Sequence, residues 1–578
     1  MKVSKIFFFI LKKIRLKIIK FFFGRYNKFN YPLYLKRSTN FKINLPNNLN
    51  LNSETIQLKK RFNIELASTK ILVKNNFKWN DYDVNYFEDS EDFESLHRWK
   101  WIIKLLSQNQ INRNNYKWIL NQVIIWHQKY NLNSNKKNKL IWETYNVSER
   151  ISNLIILCKL LNVKLSGDID IILNDHINYL LNNLEFFGEN TGNHIINNAR
   201  ALYLFGCYYD NKKIIKIADK ILFNELPKLL DDDNMLNEGS THYHFLIQTW
   251  LLEIYFFLSK KYKKINPKLL QIIIKMNLVT NFFKKDMLYF PKFGDISPDC
   301  SPDWINYIEN SIFFKKKHKN YKGTWNYLWR NQKINKIKHI FSKNIILKNS
   351  GFVRIKYKDQ IVFFRSSPSM LIQKSTIMNH IHDDIGHFLY YYKNIPILID
   401  AGRYNYLQKD EKYGKFHNLI HSNSSFISMN LVKYFLLNCL LLDTEITIRN
   451  YGNTMKIIFT KKSKIFSNFF LNISRIIKLK ENHLSLSDEI HNTFIDSKHI
   501  LTFGHKIKVK KNDLIIRSSK NNICNLKFNN NIRIVNKELN TRRYDVIKYG
   551  ERKLTNFFIN NFSKKNRRNF IIEFNWKK

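Results

Sequence analysis

The sequence predicts a multidomain α+β chain in which an all-helical region is followed by an all-β region. Two patterns lead to that expectation. Between about Asp89 and Lys275 apolar residues recur at helical spacing, and after about Leu347 they recur at every second position. The length of 578 residues adds a third argument, because it exceeds what a single hydrophobic core supports.

The helical part is read from Trp99-Trp101-Ile102-Leu105, Trp118-Ile119-Val123-Ile124, Ile151-Leu154-Ile155-Leu160 and Leu246-Trp250-Leu251-Ile254-Phe257. Each run puts apolar side chains on one helix face, and short connectors rich in Asn, Asp and Ser separate the runs. Periodicity alone leaves a bundle, a solenoid and an α/α toroid open. In the second part, Val353-Ile355-Tyr357 and Ile361-Phe363 flank Lys358-Asp359-Gln360 as a hairpin. Alternation continues at Glu445-Thr447-Arg449, Met455-Ile457-Phe459, Ile500-Thr502, Ile507-Val509 and Ile571-Glu573-Asn575, which suggests a large antiparallel sandwich. The expected divisions are a basic leader over 1–40, a helical domain over 41–340 and a β-sandwich over 341–578. A cleft between the two large domains is where a ligand would sit.

Composition narrows the class. A hydrophobic share of 44% and an aromatic share of 15% are ample for large cores, so disorder is not expected. The formal charge of +50 would attract polyanions. The lysines run through the whole chain with abundant Asn, Ile, Phe and Tyr, as codon bias in an AT-rich genome produces. They are not gathered into the stripe or tail of a nucleic-acid binder, so no specific nucleic-acid partner is expected. Five widely spaced cysteines (Cys158, Cys207, Cys300, Cys439, Cys524) make neither a disulfide framework nor a CxxC metal site. The N-terminus has a short apolar run, Ile6 to Leu11, interrupted by Lys12, Lys13, Arg15, Lys17 and Lys20. It is a poor signal peptide and too charged to span a bilayer, and suits peripheral contact with anionic lipid or a basic leader without fixed structure.

The densest chemistry lies in Asn379-His380-Ile381-His382-Asp383-Asp384-Ile385-Gly386-His387, followed by Asp400-Ala401-Gly402. Strand alternation would set His380, His382 and Asp384 on one face. His382, Asp400 and His421 make a metal set of imidazole and carboxylate donors, suited to zinc with calcium as the alternative. His380 would then be free for proton transfer, with His387 and His417 on the surface or behind the ligands. In the helical part, Thr191 reads as the N-cap of a helix whose first turn carries Asn193 and His194, donors able to meet a carboxylate. Glu238-Gly239-Ser240-Thr241-His242-Tyr243-His244 feeds another helix, with Tyr243 between two histidines as a candidate base or acid. Phe293-Gly294-Asp295-Ile296-Ser297-Pro298-Asp299 reads as a turn-rich cleft lining.

In this order, and with Lys78-Trp79-Asn80, Trp142-Glu143-Thr144-Tyr145 and Ser148-Glu149-Arg150 before them, these segments resemble the heparinase II/III-like polysaccharide lyases of the heparinase III and oligoalginate lyase type. The resemblance covers most of the chain. It implies an incomplete α/α toroid followed by an antiparallel β-sandwich, and β-elimination at a uronic acid of an acidic polysaccharide. It further implies that Asn193 neutralises the substrate carboxylate with His194 beside it, that Tyr243 and His380 transfer protons, and that His382, Asp400 and His421 bind a structural metal. The chain departs from the family at His421-Ser422-Asn423, where His-Asn-Thr is common. Tyr404, Tyr406 and Tyr413 are the candidates for a second tyrosine that oligoalginate lyases use. Two other functions are compatible with the same residues: a uronate C-5 epimerase, and a non-catalytic polyanion-binding protein. Such substrates place the protein in the periplasm or cell envelope, with the cytoplasm as the alternative given the weak leader.

Overall fold

The computed structural model describes residues 31–36, 56, 61–74, 77–107, 113–132, 139–163, 167–188, 191–262, 265–284, 287, 290–297, 299, 345–366, 380, 382, 384–400, 419–422, 442–463, 472–491, 497–504, 507–510, 513–517, 523–528, 535–544, 552–562 and 568–577. Most of the basic leader, the tyrosine candidates 404, 406 and 413, and His417 lie outside these residues.

A one-turn helix α1 (Leu33–Lys36) and a hairpin of β1 (Phe62–Glu65) and β2 (Lys70–Val73) precede the main helices. The hairpin lacks a period-two sequence signal long enough to announce it. Its turn is fixed instead by Asp92, whose carboxylate accepts the backbone N–H and hydroxyl of both Ser68 and Thr69. The helices follow as α2 (Ser90–His97), α3 (Lys100–Ser107), α4 (Arg113–Tyr130), α5 (Thr144–Leu161), α6 (Gly167–Asn182), α7 (His194–Tyr208), α8 (Lys212–Leu229), α9 (Thr241–Lys261) and α10 (Pro267–Lys284). Side-chain caps start several of them: Asp89 for α2, Asn211 for α8 and Ser240 for α9 each accept a first-turn N–H. Among the described residues no helix is long and apolar enough to cross a membrane.

The helical core carries buried charge, held by ion pairs at Arg200 and by aromatic rings and neutral acceptors at Arg150. Arg200 of α7 lies between Glu149 of α5 (2.6 Å) and Glu253 of α9, while Lys100 of α3 meets the other oxygen of Glu149 at 3.2 Å. Arg150 sits with its guanidinium over Trp99, Trp126 and Trp142 at 4.5–5.6 Å and donates to His176 at 2.9 Å. Burial pushes its pKa down to about 9. Removing one partner from such a site would strand a charge, so these residues fix how the helices pack.

The β region forms two antiparallel sheets. One runs in the order β14 (Ile507–Lys510), β15 (Asp513–Arg517), β16 (Ile523–Phe528), β19 (Arg568–Trp576), β12 (His483–His491), β11 (Asn472–Lys480), β10 (Met455–Ser463), β9 (Leu442–Asn450). The other runs β17 (Val535–Tyr544), β18 (Arg552–Phe562), β13 (Ser497–Phe503), β7 (Ile395–Leu398), β6 (Phe388–Tyr392), β5 (Gln360–Arg365), β4 (Phe352–Tyr357), β3 (Ile346–Leu347), with β8 (Leu419–Ser422) also paired to β13. The expected hairpin is β4–β5, with Tyr357 opposite Gln360 and Lys358 at φ 51° in its turn.

Burial explains why some strands alternate and others do not. In β12 buried and half-buried positions alternate, one face on the sandwich core and one toward solvent. In β5 and β6 every residue is buried. Val362, Phe364, Phe388, Tyr390 and Tyr392 face the sandwich core, while Ile361, Phe363, Leu389 and Tyr391 join a second cluster with Phe245, Val279, Phe282, Phe283, Phe290 and Phe293. That second cluster is the seam between α9, α10 and the outer face of the sheet. Each buried side chain there contributes roughly 1.5–3 kcal/mol relative to exposure. The seam brings the Phe293 loop, the start of α9 and the loop before β6 to one place.

Candidate active site

Three chain segments cross at Gly294. The backbone N–H of Thr241 donates to Phe293 O at 3.1 Å, Ser240 Oγ donates to Asp295 O at 2.7 Å, and Asp295 N–H donates to His380 O at 3.1 Å. Gly294 has φ +77°, and a Cβ placed on it would lie 2.6 Å from His380 O and 3.1 Å from Gly239 O. Only glycine fits this crossing, both for its φ and for the close approach of two other backbones.

On this scaffold three of the expected catalytic residues come together. The rings of Tyr243 and His380 are stacked, with centroids 3.6 Å apart and planes at 9°. His380 Nε2 lies 3.3 Å from Glu238 Oε2, and its Nδ1 lies 3.3 Å from Asp295 Oδ2. Glu238 also binds Asn193 twice: Oε1 accepts the backbone N–H at 2.9 Å and Oε2 accepts Nδ2 at 3.0 Å. Asn193, Glu238, His380 and Asp295 thus form one chain of contacts, all four buried. Glu238 and Asp295 carry no spacing that marks them in the sequence. Both lay inside segments singled out in the sequence, Glu238-Gly239-Ser240 and the Phe293-Gly294-Asp295 lining, without a role assigned to either acid, and each stands beside a glycine of positive φ.

Several local expectations need correction. Thr191 does not cap the helix. α7 starts at His194 with Asn193 as its N-cap, and Thr191 Oγ1 closes the preceding loop by donating to Gly188 O and accepting the Phe187 N–H. The N–H at the helix start goes to Glu238, so a protein carboxylate occupies part of that positive end. Of the two histidines expected to frame Tyr243, only His242 stays beside it, its ring edge-on at 5.5 Å. Successive helical residues point about 100° apart, and His244 turns into the core, where Leu236 N–H donates to it at 3.3 Å and burial lowers its pKa to about 4. His380 and His382 are not in a strand either. β6 begins at Phe388, after a turn in which Gly386 has φ +95° and donates to Arg365 O. The alternation still holds in part, since His380 and His382 both meet Asp295, but Asp384 lies 3.5 Å from Arg365 instead.

His194 sits at the rim, its side chain 41% exposed, with Nδ1 3.1 Å from Glu185 Oε1 and its ring 4.7 Å from that of Tyr145. Desolvation acts to lower its pKa, but Glu185, Glu143 and Glu238 outweigh it and raise the value to about 9. The ring is a cation at neutral pH. Among the described residues, Glu143, Glu185 and His194 are also the one group of three possible metal-binding side chains with ligand atoms within 4.8 Å of one another. With His194 protonated, that arrangement serves to hold an imidazolium.

His382 and Asp400 are buried and meet the same turn at Gly294-Asp295. His382 Nε2 is 2.8 Å from Asp295 Oδ1, and Asp400 Oδ2 accepts the Gly294 N–H at 3.3 Å. His421 lies on β8, opposite Lys498, and its side chain is outside the described residues. Of the two places expected for His387, it takes the buried one behind Asp400 and not the surface, with Nε2 3.7 Å from Asp400 Oδ2. Burial, with Arg475 and His382 nearby, holds its pKa well below the ordinary value, so it is neutral. The donor chemistry fits zinc, and a carboxylate on one nitrogen of His382 is the usual companion of a histidine that ligates through the other.

No protein-family model and no curated protein matches the sequence. Solved structures do. A crystal structure of heparinase III superposes with a TM-score of 0.61 at 16% identity, covering 87% of this chain and 81% of that one. The heparinase III BT4657 gene product gives 0.55 at 15% identity, covering 86% and 81%. A mutant of the heparan sulfate lyase HepC from Pedobacter heparinus gives 0.51 at 16%, covering 90% and 81%. The chain therefore has the fold of the heparinase III structures, an α/α toroid followed by an antiparallel β-sandwich.

Proposed function

We propose that this protein is a polysaccharide lyase that cleaves a uronic-acid-containing acidic polysaccharide by β-elimination. The observation that carries this is the convergence of Asn193, Tyr243 and His380 at the Gly294 crossing, with the His194 cation at the rim. The C-5 proton of a uronate is only weakly acidic, so its removal requires the adjacent carboxylate to be neutralised and an enolate-like charge to be stabilised. The Asn193 amide and the His194 imidazolium supply a donor and a positive charge for that carboxylate. Tyr243 takes the C-5 proton and returns one to the glycosidic oxygen as the C4–O4 bond breaks, leaving a C4–C5 double bond. His380, stacked on Tyr243, shares the proton transfers according to the configuration at C-5.

A structural divalent metal, zinc by donor type, belongs to the same proposal, with His382, Asp400 and His421 as its ligands. When bound it would tie the loop before β6 to the sheet, while Tyr243 and His380 move the protons. The fold's precedents in heparinase III and heparan sulfate lyase support an acidic polysaccharide as substrate, and such a substrate supports a location in the periplasm or cell envelope. Incubation with uronate polymers tests the function: the protein should generate the ultraviolet absorbance of the new double bond, and Tyr243→Phe should abolish it. Activity undiminished in Tyr243→Phe would remove the tyrosine from the mechanism.

A further inference from the structure

We infer that Glu238 is a positioning residue for both Asn193 and His380, and that its charge sets which way the Asn193 amide faces. This role rests on the lyase function proposed above. Glu238 lies in the turn before α9, is 1% exposed, and its carboxylate has three partners on the active-site side: Asn193 N–H (2.9 Å), Asn193 Nδ2 (3.0 Å) and His380 Nε2 (3.3 Å). Those partners come from two parts of the chain, the start of α7 and the loop before β6.

A carboxylate only accepts hydrogen bonds, whereas the asparagine amide has a donor end and an acceptor end of nearly equal shape. Facing Glu238, the amide must turn its NH2 inward, and its second N–H is then the one that can meet a substrate carboxylate. The opposite orientation would set the Asn193 carbonyl against the Glu238 carboxylate, which the buried site penalises. The same Oε2 lies 3.3 Å from His380 Nε2, while Asp295 Oδ2 lies 3.3 Å from Nδ1, so a carboxylate flanks each nitrogen edge of the ring that lies flat on Tyr243. Glu238 thereby ties the carboxylate-binding amide to the histidine stacked on the tyrosine. Its own active-site contacts are to Asn193 and His380.

Glu238→Gln separates charge from shape. A glutamine offers a donor as well as an acceptor, so the Asn193 amide can flip and present its carbonyl to the substrate. With the full-length chain, Glu238→Gln should lower kcat about 100-fold or more, the scale of a lost oxyanion-type donor, with a KM change of less than about threefold and an unfolding midpoint close to wild type. Glu238→Asp, which restores the carboxylate, should recover at least about tenfold of that loss. A second readout does not need turnover. In 15N-asparagine-labelled protein the Asn193 side-chain amide, assigned by its loss in Asn193→Ala, should show a shifted proton protected from exchange, and both properties should vanish in Glu238→Gln. Glu238→Gln with near wild-type kcat, Glu238→Asp no better than Glu238→Gln, or an Asn193 amide signal unchanged in Glu238→Gln would each overturn the assignment. If the wild-type protein eliminates no uronate polymer, the lyase function fails while the amide signal still decides the role of Glu238.

Discussion

At the residue scale, His194 is the side chain whose ionisation bears most directly on an acidic substrate. Its pKa is raised from 6.5 to about 9 by Glu185, Glu143 and Glu238 against the cost of desolvation. Because the folded value lies above the unfolded one, the stabilisation from its pairing is complete below about 6.5 and is lost as pH rises through about 9. Substrate attraction should follow the same curve. KM for a uronate polymer should therefore climb as pH passes about 9, and His194→Gln should raise KM at neutral pH and flatten that climb. A KM profile with the same alkaline rise in His194→Gln would assign the titration elsewhere. The segments that carry Asn193, His194, Tyr243 and His380 stood out in the sequence by residue type, and the structure brings Asn193, Tyr243 and His380 into one set of contacts. Their carboxylate partners were not legible. Glu238 is 45 residues from Asn193, and Asp295 is 85 from His380, so only the folded chain reveals which carboxylate meets which donor.

At the element scale, the site depends on where loops cross. The turn at Gly294 binds the start of α9 and the loop before β6 through backbone hydrogen bonds, at a φ of +77° with His380 O beside the missing Cβ. Gly294→Ala must either shift the His380 backbone or change its own φ. It should reduce activity by more than about tenfold, since small misplacements of reacting groups are costly, while costing only about 1–3 kcal/mol of stability. A crystal structure of Gly294→Ala with His380 still flat on Tyr243, together with full activity, would contradict the importance of this crossing. The loop before β6 is also secured from the sandwich side. Arg475 donates to Gly386 O at 2.6 Å and to both oxygens of Asp488 at 2.7 Å, and His499 meets Asp488 at 2.7 Å. Burial acts to raise the Asp488 pKa, but Arg475 and His499 bring it down to about 2. The alternating strands were visible in the sequence because water wets one face. β6 carries no polar alternation because the helices cover the face that would otherwise be polar, whereas β5, equally buried, was marked by its place in the hairpin.

At the scale of the whole molecule, the two halves act as one because an aromatic seam joins them. Phe283 of α10 stacks on Phe363 of β5 (5.9 Å, 23°) and meets Phe352 edge-on at 5.1 Å. Near the same seam, Asp231 and Asp233 from the loop before α9 accept from Asn349 and Ser350 at the entry to the sheet. Phe283→Ala should cost about 3–5 kcal/mol and split a single calorimetric transition into two, as the toroid and sandwich lose their coupling. A single transition at an unchanged midpoint would show that the seam contributes little. The order of helical and β regions was legible from periodicity alone. The closing of the helices into a toroid was not, because apolar spacing is the same for every helical array; it was expected from the resemblance, and the heparinase III structures bear it out. The charge of +50 favours approach of any polyanion and so cannot identify the substrate. The most direct test of the central claim is an ultraviolet elimination assay of the purified protein across heparan, hyaluronan, alginate and capsular uronate polymers. A lyase should give rising absorbance and shortened chains with at least one of them, both lost in Tyr243→Phe. No absorbance with any polymer, or deuterium uptake at C-5 without chain shortening, would contradict it.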